Sequence, residues 1–362
     1  MRRSRPRAIA LAAALLLVLA AAGWTLVRVV PALWATPPPP PSRDEARDLE
    51  PLPGAAENGW TVIASAPPGT FSDLEGPADD LLRPGEGPPP RDALERVGEE
   101  VIAWSVPEPT LARIDEALQR PRFALACPLD ADVGECSPIA WYFAHRVAAS
   151  HTVRDTLLGW DDEALERTER LLRADRDAIA TARSLIELMV AVAGARQSIE
   201  LTGLIGSILG AREEAFGTPE LRARLDLVEL ALASLEPEGW SAERALIGES
   251  IRTRRALESV AQSGEVAGLG HAMESFDRYF EDAIAYARSR DRALAPDPVE
   301  VAHGWALLDP VGASASDIVR IDAVSQIDRL ASEAEQARDR IAVARVALAA
   351  ARARLADDAP AP

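Results

Sequence analysis

Ile341-Ala-Val-Ala-Arg-Val-Ala-Leu-Ala-Ala-Ala-Arg-Ala-Arg-Leu355 closes a run in which apolar residues return every four and then three positions. The column is Ala323, Ile327, Leu330, Ala334, Ala337, Ile341, Ala344, Leu348, Ala351 and Leu355. A period of 3.5 held over more than four heptads specifies a helix with an apolar seam that needs a helical partner. Residues 161–193 carry a second seam, with Leu165, Thr168, Leu172, Asp175, Ile179, Ala182, Ile186, Met189 and Ala193 in one column and Leu171, Ala178, Leu185 and Val192 beside it. The two seams predict an intramolecular pair; a homodimer through 323–355 is the alternative. Aromatic residues make up only 5% of the chain, which favours close helix–helix packing over a β-sandwich. The expected fold is all-α, a multi-helix bundle with long antiparallel helices.

Working outward, helices are expected over 91–104, 109–119, 137–160, 218–235, 241–263 and 273–293. Thr218-Pro219 supplies a cap followed by proline at the first helical position. Gly194 predicts a break or bend after the 161–193 helix, because glycine costs about 1 kcal/mol relative to alanine inside a helix. Gly203, Gly206 and Gly210 then mark either a close backbone contact or a weak helix over 195–214.

The N-terminal end has a different character. Arg2, Arg3, Arg5 and Arg7 precede an unbroken apolar run, Ala8–Val27, long enough to span the roughly 30 Å hydrocarbon core of a bilayer. A cleaved signal peptide, with Ala20-Ala21-Ala22 as its cleavage site, is the competing reading. Length, and Trp24 and Trp34 at interfacial positions, favour a retained anchor. The arginines before the span keep the N-terminus cytoplasmic, so the bulk of the chain is expected outside, in the periplasm of a bacterial inner-membrane protein. Residues 37–90 hold half of the chain's 28 prolines and predict an extended linker over 28–90. Glu57-Asn-Gly-Trp-Thr-Val-Ile-Ala64 interrupts it, as a tight turn with an apolar segment that either docks on the body or stays free. The domain plan is a basic tip at 1–7, the anchor at 8–27, the linker at 28–90, the helical domain at 91–356 and a tail at 357–362.

All 39 basic residues are arginine, a compositional skew that reflects coding bias. Beyond residue 35 there are 34 arginines against 57 acids, so the body is strongly acidic and repels phosphate backbones. Nucleic acid is not an expected partner; the bilayer and an unidentified periplasmic protein are.

Candidate chemistry is sparse. Cys127 and Cys136 are the two cysteines, and an even pair closing a short loop in an oxidising compartment predicts a disulfide. The spacing of that pair to His145 and His151 matches no common zinc site, and Asp130-Ala-Asp132-Val-Gly134-Glu135 lacks the ligands of a calcium loop. No metal or cofactor is expected. His145 sits beside Trp141, Tyr142 and Phe143 and reads as part of an aromatic cluster; His271 and His303, each near aromatic residues, read as structural. Glu187, one turn after Arg183, reads as a boundary ion pair, or in its sharper form as a buried proton-active carboxylate. Glu187 and His145 are the functional candidates. No nucleophile elbow, phosphate-binding loop, dinucleotide fingerprint or zinc-protease motif is present.

The anchor, Glu57-Asn58-Gly59-Trp60, the Cys127/Cys136 pair, Ser184-Leu-Ile-Glu-Leu-Met-Val-Ala191 and Asp309-Pro-Val-Gly312 together resemble a group of uncharacterised, N-terminally anchored, periplasmic all-helical proteins of Gram-negative bacteria. The resemblance implies localisation and fold and carries no catalytic residues. The expected function is therefore non-enzymatic, a tethered body that binds a protein partner or envelope ligand. An envelope hydrolase or transferase whose acidic site forms only in the fold is the alternative.

Overall fold

The computed structural model describes residues 43–74, 76–80, 82, 91–125, 127, 129, 137–212, 218–262, 269–296 and 323–357, with Gly23, Pro40 and Pro41. Apart from Gly23, the anchor at 8–27 lies outside the described residues, as do Trp24, Trp34, Cys136 and His303. Among those described, the chain is all-helical and contains no strand. The helices are α1 Glu45–Asp48, α2 Gly59–Ala64, α3 Arg91–Ala103, α4 Glu108–Gln119, α5 Ile139–Leu158, α6 Asp161–Thr181, α7 Leu185–Ala211, α8 Pro219–Ser234, α9 Glu243–Gln262, α10 Leu269–Ser289 and α11 Ala323–Asp357. Contacts divide the chain into a larger unit (49–249 with 326–362) and a smaller one (1–48 with 250–325).

The larger unit is built on α5, α6 and α7. Helix α5 ends at Gly159 in the left-handed conformation, where Trp160 N–H reaches the Asp155 carbonyl at 2.9 Å and Gly159 N–H the Thr156 carbonyl at 3.2 Å. That pairing satisfies the last carbonyls and turns the chain directly into α6. Asp161, Asp162 and Glu163 then occupy the first turn of α6, where carboxylates favour the positive end of the helix dipole.

The break expected at Gly194 falls instead at 182–184. Ser184 caps α7 by accepting the Glu187 N–H at 3.1 Å, so the Ser-x-x-Glu spacing opens a new helix inside what reads as one continuous seam. Gly194 lies within an unbroken α7, close against Asp175 and His145.

The seam of α11 is buried within the larger unit from Ile327 to Leu355, as the intramolecular reading expects, but its partner is α7 rather than the 161–193 helix. Arg196 meets Glu333, Arg340 meets Glu200, and Gly203, Gly206 and Gly210 lie successively along Ala344, Ala347–Leu348 and Ala350–Ala351. Both numbers rise together, so α7 and α11 run parallel. At Gly206 an added Cβ would come within 2.9 Å of the Ala347–Leu348 backbone, so the glycine stripe is the close contact and not a weak helix. Helix α8 flanks α11 in the opposite sense, with Arg222 donating to the Leu355 carbonyl and Arg352 pairing with Asp226 and Glu229.

The extended linker expected over 28–90 is folded onto the body from Leu49 to Leu82. Leu49, Trp60, Ile63, Phe71, Ala78 and Leu82 are buried. Asn58 caps α2 by accepting the Trp60 N–H at 3.2 Å. Its side chain also bonds Ala124, donating to the carbonyl at 3.0 Å and accepting the N–H at 2.9 Å. Gly59 N–H donates to the Arg122 carbonyl at 2.9 Å, and a Cβ on Gly59 would sit 2.2 Å from the Ala117 carbonyl oxygen. The 57–64 element is therefore docked, and its glycine is required by the approach.

In the smaller unit, α10 buries Met273, Phe276, Tyr279, Phe280, Ile284 and Tyr286. Arg254 lies there between Glu258, at 2.9 Å, and Asp277, at 2.5 Å. The Tyr279 hydroxyl accepts the first N–H of α11 at 3.2 Å.

Candidate functional site

His145 is completely buried where α5, α6 and α7 meet. Its Nδ1 lies 2.9 Å from Gln197 Oε1, and its Nε2 lies 3.1 Å from Asp175 Oδ2 and 2.9 Å from Ser198 Oγ. The Ser198 hydroxyl donates to the same Asp175 oxygen at 2.5 Å. Trp141 stands edge-on to the ring at 5.3 Å, so the aromatic cluster is real but is only one side of the site. The residue types are those of a nucleophile–base–acid relay, yet the arrangement differs. A relay needs the acid and the hydroxyl on opposite ring nitrogens; here both share Nε2. Asp175 and Ser198 are as fully buried as the histidine, so the group forms a sealed cross-tie between three helices.

A second network lies along the same helices toward α4. Asp155 Oδ2 accepts from Arg167 Nη1 at 2.5 Å and lies 3.0 Å from His151 Nδ1. Arg167 Nε donates to Asp115 Oδ1 at 3.1 Å, tying α4 to the α5–α6 pair. Burial pushes the Asp155 carboxyl up, but the His151 hydrogen bond and the Arg167 charge outweigh it and hold the group below the usual carboxylate range. Burial also disfavours the Arg167 charge, and Asp115 and Asp155 together reverse that and raise its pKa. His145 and His151 thus serve different carboxylates. Among the described residues no group of three His, Cys, Asp or Glu side chains is placed to hold a metal.

Glu187 is buried, with 1% of its surface exposed, which corrects its reading as a boundary residue. Its Oε2 accepts the backbone N–H of Arg183 at 2.6 Å and its Oε1 the backbone N–H of Cys127 at 3.1 Å. One carboxylate therefore closes the α6–α7 turn and fastens the 123–127 segment to it. Arg183 donates onward to the Glu50 carbonyl, and Leu185 N–H donates to Glu249 Oε1 at 3.2 Å, so the start of the packed N-terminal segment and α9 meet at the same corner.

An open groove of about 500 Å³ lies between α2 and α4, lined by Thr61, Val62, Ser65, Ala112, Arg113 and Glu116. Its polar groups are already committed. The Thr61 hydroxyl bonds the Ala55 and Asn58 carbonyls, and Arg113 donates to the Val62 carbonyl at 3.3 Å and to Ser65 Oγ at 3.1 Å. Arg113 sits at the negative end of α2, where a cation is favoured.

Sequence reading singled out His145 and Glu187 but not their partners. Asp175 carried a signal, being an acid inside the apolar column of α6, and Asp155 lies one helical turn after His151. Gln197, Ser198 and Arg167 carried none. The side chain of His271, in α10, is outside the described residues. No protein-family model, curated protein or solved structure matches this chain. The fold and its polar networks together define a helical-bundle protein whose buried ionisable groups join one helix to the next.

Proposed function

We propose that this chain is a non-enzymatic, membrane-tethered helical protein that presents its body in the bacterial periplasm to a protein partner or envelope ligand. The apolar run Ala8–Val27 behind four arginines carries the reading, as a single-pass anchor with Trp24 and Trp34 at the interface and the N-terminus in the cytoplasm. The sealed state of the His145 network supports a structural use for the side chains that most resemble catalytic machinery. Packing from Leu49 onward shortens the tether. With Glu45–Asp48 helical, residues 28–44 at about 3.1 Å each reach about 53 Å, so the body stays near the membrane rather than at the end of a long stalk.

A Cys127–Cys136 disulfide belongs to the same reading. Cys127 is buried beside the Glu187 corner, and Cys136 is the other cysteine of the chain, nine residues on. A reporter fused after Pro362 should be active outside the cytoplasm and silent inside it; activity inside the cytoplasm overturns the topology. Photo-crosslinking in the native envelope should capture a periplasmic protein on the body. Repeated capture of cytoplasmic proteins would end the proposal.

A further inference from the structure

Four of the exposed large aliphatic side chains of the larger unit lie on two adjacent helices, with Ile139 and Ile186 exposed elsewhere. Val346 and Val343 on α11 are 71% and 54% exposed, and Leu230 and Leu227 on α8 are 67% and 43% exposed. Helices α8 and α11 run side by side in opposite senses through the Arg352 pairs to Asp226 and Glu229. One turn along α8 from Asp226 is Leu230; one turn back along α11 from Arg352 is Ala349, which is exposed, as is Ala353. These residues lie opposite the buried seam of Ile341, Ala344, Leu348, Ala351 and Leu355. Helix α11 thus has two apolar faces, and α7 and α8 cover one of them.

The uncovered face is bracketed by charge. Asp339 precedes it and Arg354 ends it, both exposed, and neither has an ion-pair partner among the described residues. They lie about 22 Å apart along the helix at 1.5 Å per residue. A second copy laid antiparallel brings Arg354 of each chain beside Asp339 of the other, twice, about a two-fold axis near Val346. A parallel copy would set aspartate against aspartate and arginine against arginine. The antiparallel register also places Val343 opposite Ala350 of the second copy, a large residue against a small one, as close helix packing requires.

We propose that the chain forms an antiparallel homodimer through the outer face of α11, with Leu227 and Leu230 of α8 at its margin. This face is distinct from the seam that α7 occupies. The contact is smaller than the 20–30 residues per partner of a standard interface, so the dimer is weak in solution and is strengthened by confinement to one membrane. That confinement rests on the proposed anchor; the face and its charges do not.

The test is disulfide trapping between two differently tagged full-length chains in native membranes, one carrying Val343→Cys and the other Ala350→Cys. The mixed pair should crosslink at least about tenfold more than Val343→Cys with itself, and Val346→Arg on both chains should remove that product. Asp339→Arg or Arg354→Asp alone should lower the yield, and the two together should restore it. Dominant Val343–Val343 crosslinking, no crosslink from either pairing, or indifference to Val346→Arg would each overturn the proposal. Because the substituted side chains are exposed, unchanged helix content by circular dichroism separates lost association from lost folding. A cytoplasmic reporter signal would sink the anchor reading and leave the trapping result standing.

Discussion

Replacing Glu187 with alanine should be among the most damaging single changes available in the larger unit. The carboxylate is buried and accepts two backbone donors, Arg183 N–H and Cys127 N–H, from segments 56 residues apart. Truncation leaves both donors without that acceptor in a dry site. Each stranded buried donor costs about 1–3 kcal/mol, which gives about 2–6 kcal/mol for the pair. Against a domain stability of about 5–15 kcal/mol, that is a large fraction. Glu187→Gln keeps one acceptor oxygen and turns an amide NH₂ toward the other donor, so it should cost less than alanine. The assay is urea denaturation of the full chain, followed by the fluorescence of the buried Trp60 and Trp141. Hydrogen exchange at 183–188 and at Cys127 would be measured in parallel. Alanine should lower the midpoint markedly and deprotect both segments together. A loss under about 0.5 kcal/mol, the level of an ordinary surface change, would refute the idea that this carboxylate ties the corner.

Other consequences are equally direct. Gly206→Val should cost at least about 1–3 kcal/mol through overpacking against Ala347–Leu348, read as a lower thermal midpoint, while Gly239→Ala, with open space around it, should cost far less. Asn58→Ala removes the α2 cap and both bonds to Ala124, so limited proteolysis should begin within 49–82 while the α5–α7 core stays intact. The depressed Asp155 pKa sets a sign for acid titration: its stabilisation is fully present above the ordinary aspartate range near 3.9 and is lost as pH falls below it. Asp155→Asn should be less stable at neutral pH and should flatten that acid limb; an unchanged limb in urea midpoints against pH would contradict the assignment.

Much of the fold is legible from local pattern. The seam of 323–355 survives as α11, and the wide apolar stripe beginning at 161 survives as α6. What misleads is that the apolar column of α6 runs on in the sequence through Ile186, Met189 and Ala193, which the fold leaves exposed or half-buried while α7 buries Leu185, Leu188, Val192 and Ala195. Periodicity alone joins them and assigns the wrong partner to α11. The Ser184-x-x-Glu187 spacing was the available signal for the true break, and it is a capping signature rather than a periodic one. Residues 49–82 mislead for a different reason. Proline and glycine exclude long helices, but they do not prevent a segment from packing when Leu49, Trp60, Ile63, Phe71 and Leu82 supply anchors. The candidate residues were half visible. His145 and Glu187 stand out as rare or misplaced polar residues, whereas Gln197, Ser198, Arg167 and Asp115 are ordinary until the helices bring them together.

The sequence by itself determined the helical class, the acidic character of the body and the apolar run that proposes a tether, because each depends on composition or on short-range periodicity. Only the tertiary structure decided which helix covers the α11 seam. It also decided that Glu187 faces inward to hold two backbone segments of the fold, and that the histidine, aspartate and serine of the core are sealed. The reason is physical. Apolar burial is nearly directionless and tolerates many pairings of amphipathic helices, whereas hydrogen bonds and ion pairs need atoms from distant segments within about 3 Å, and only the folded chain sets those distances.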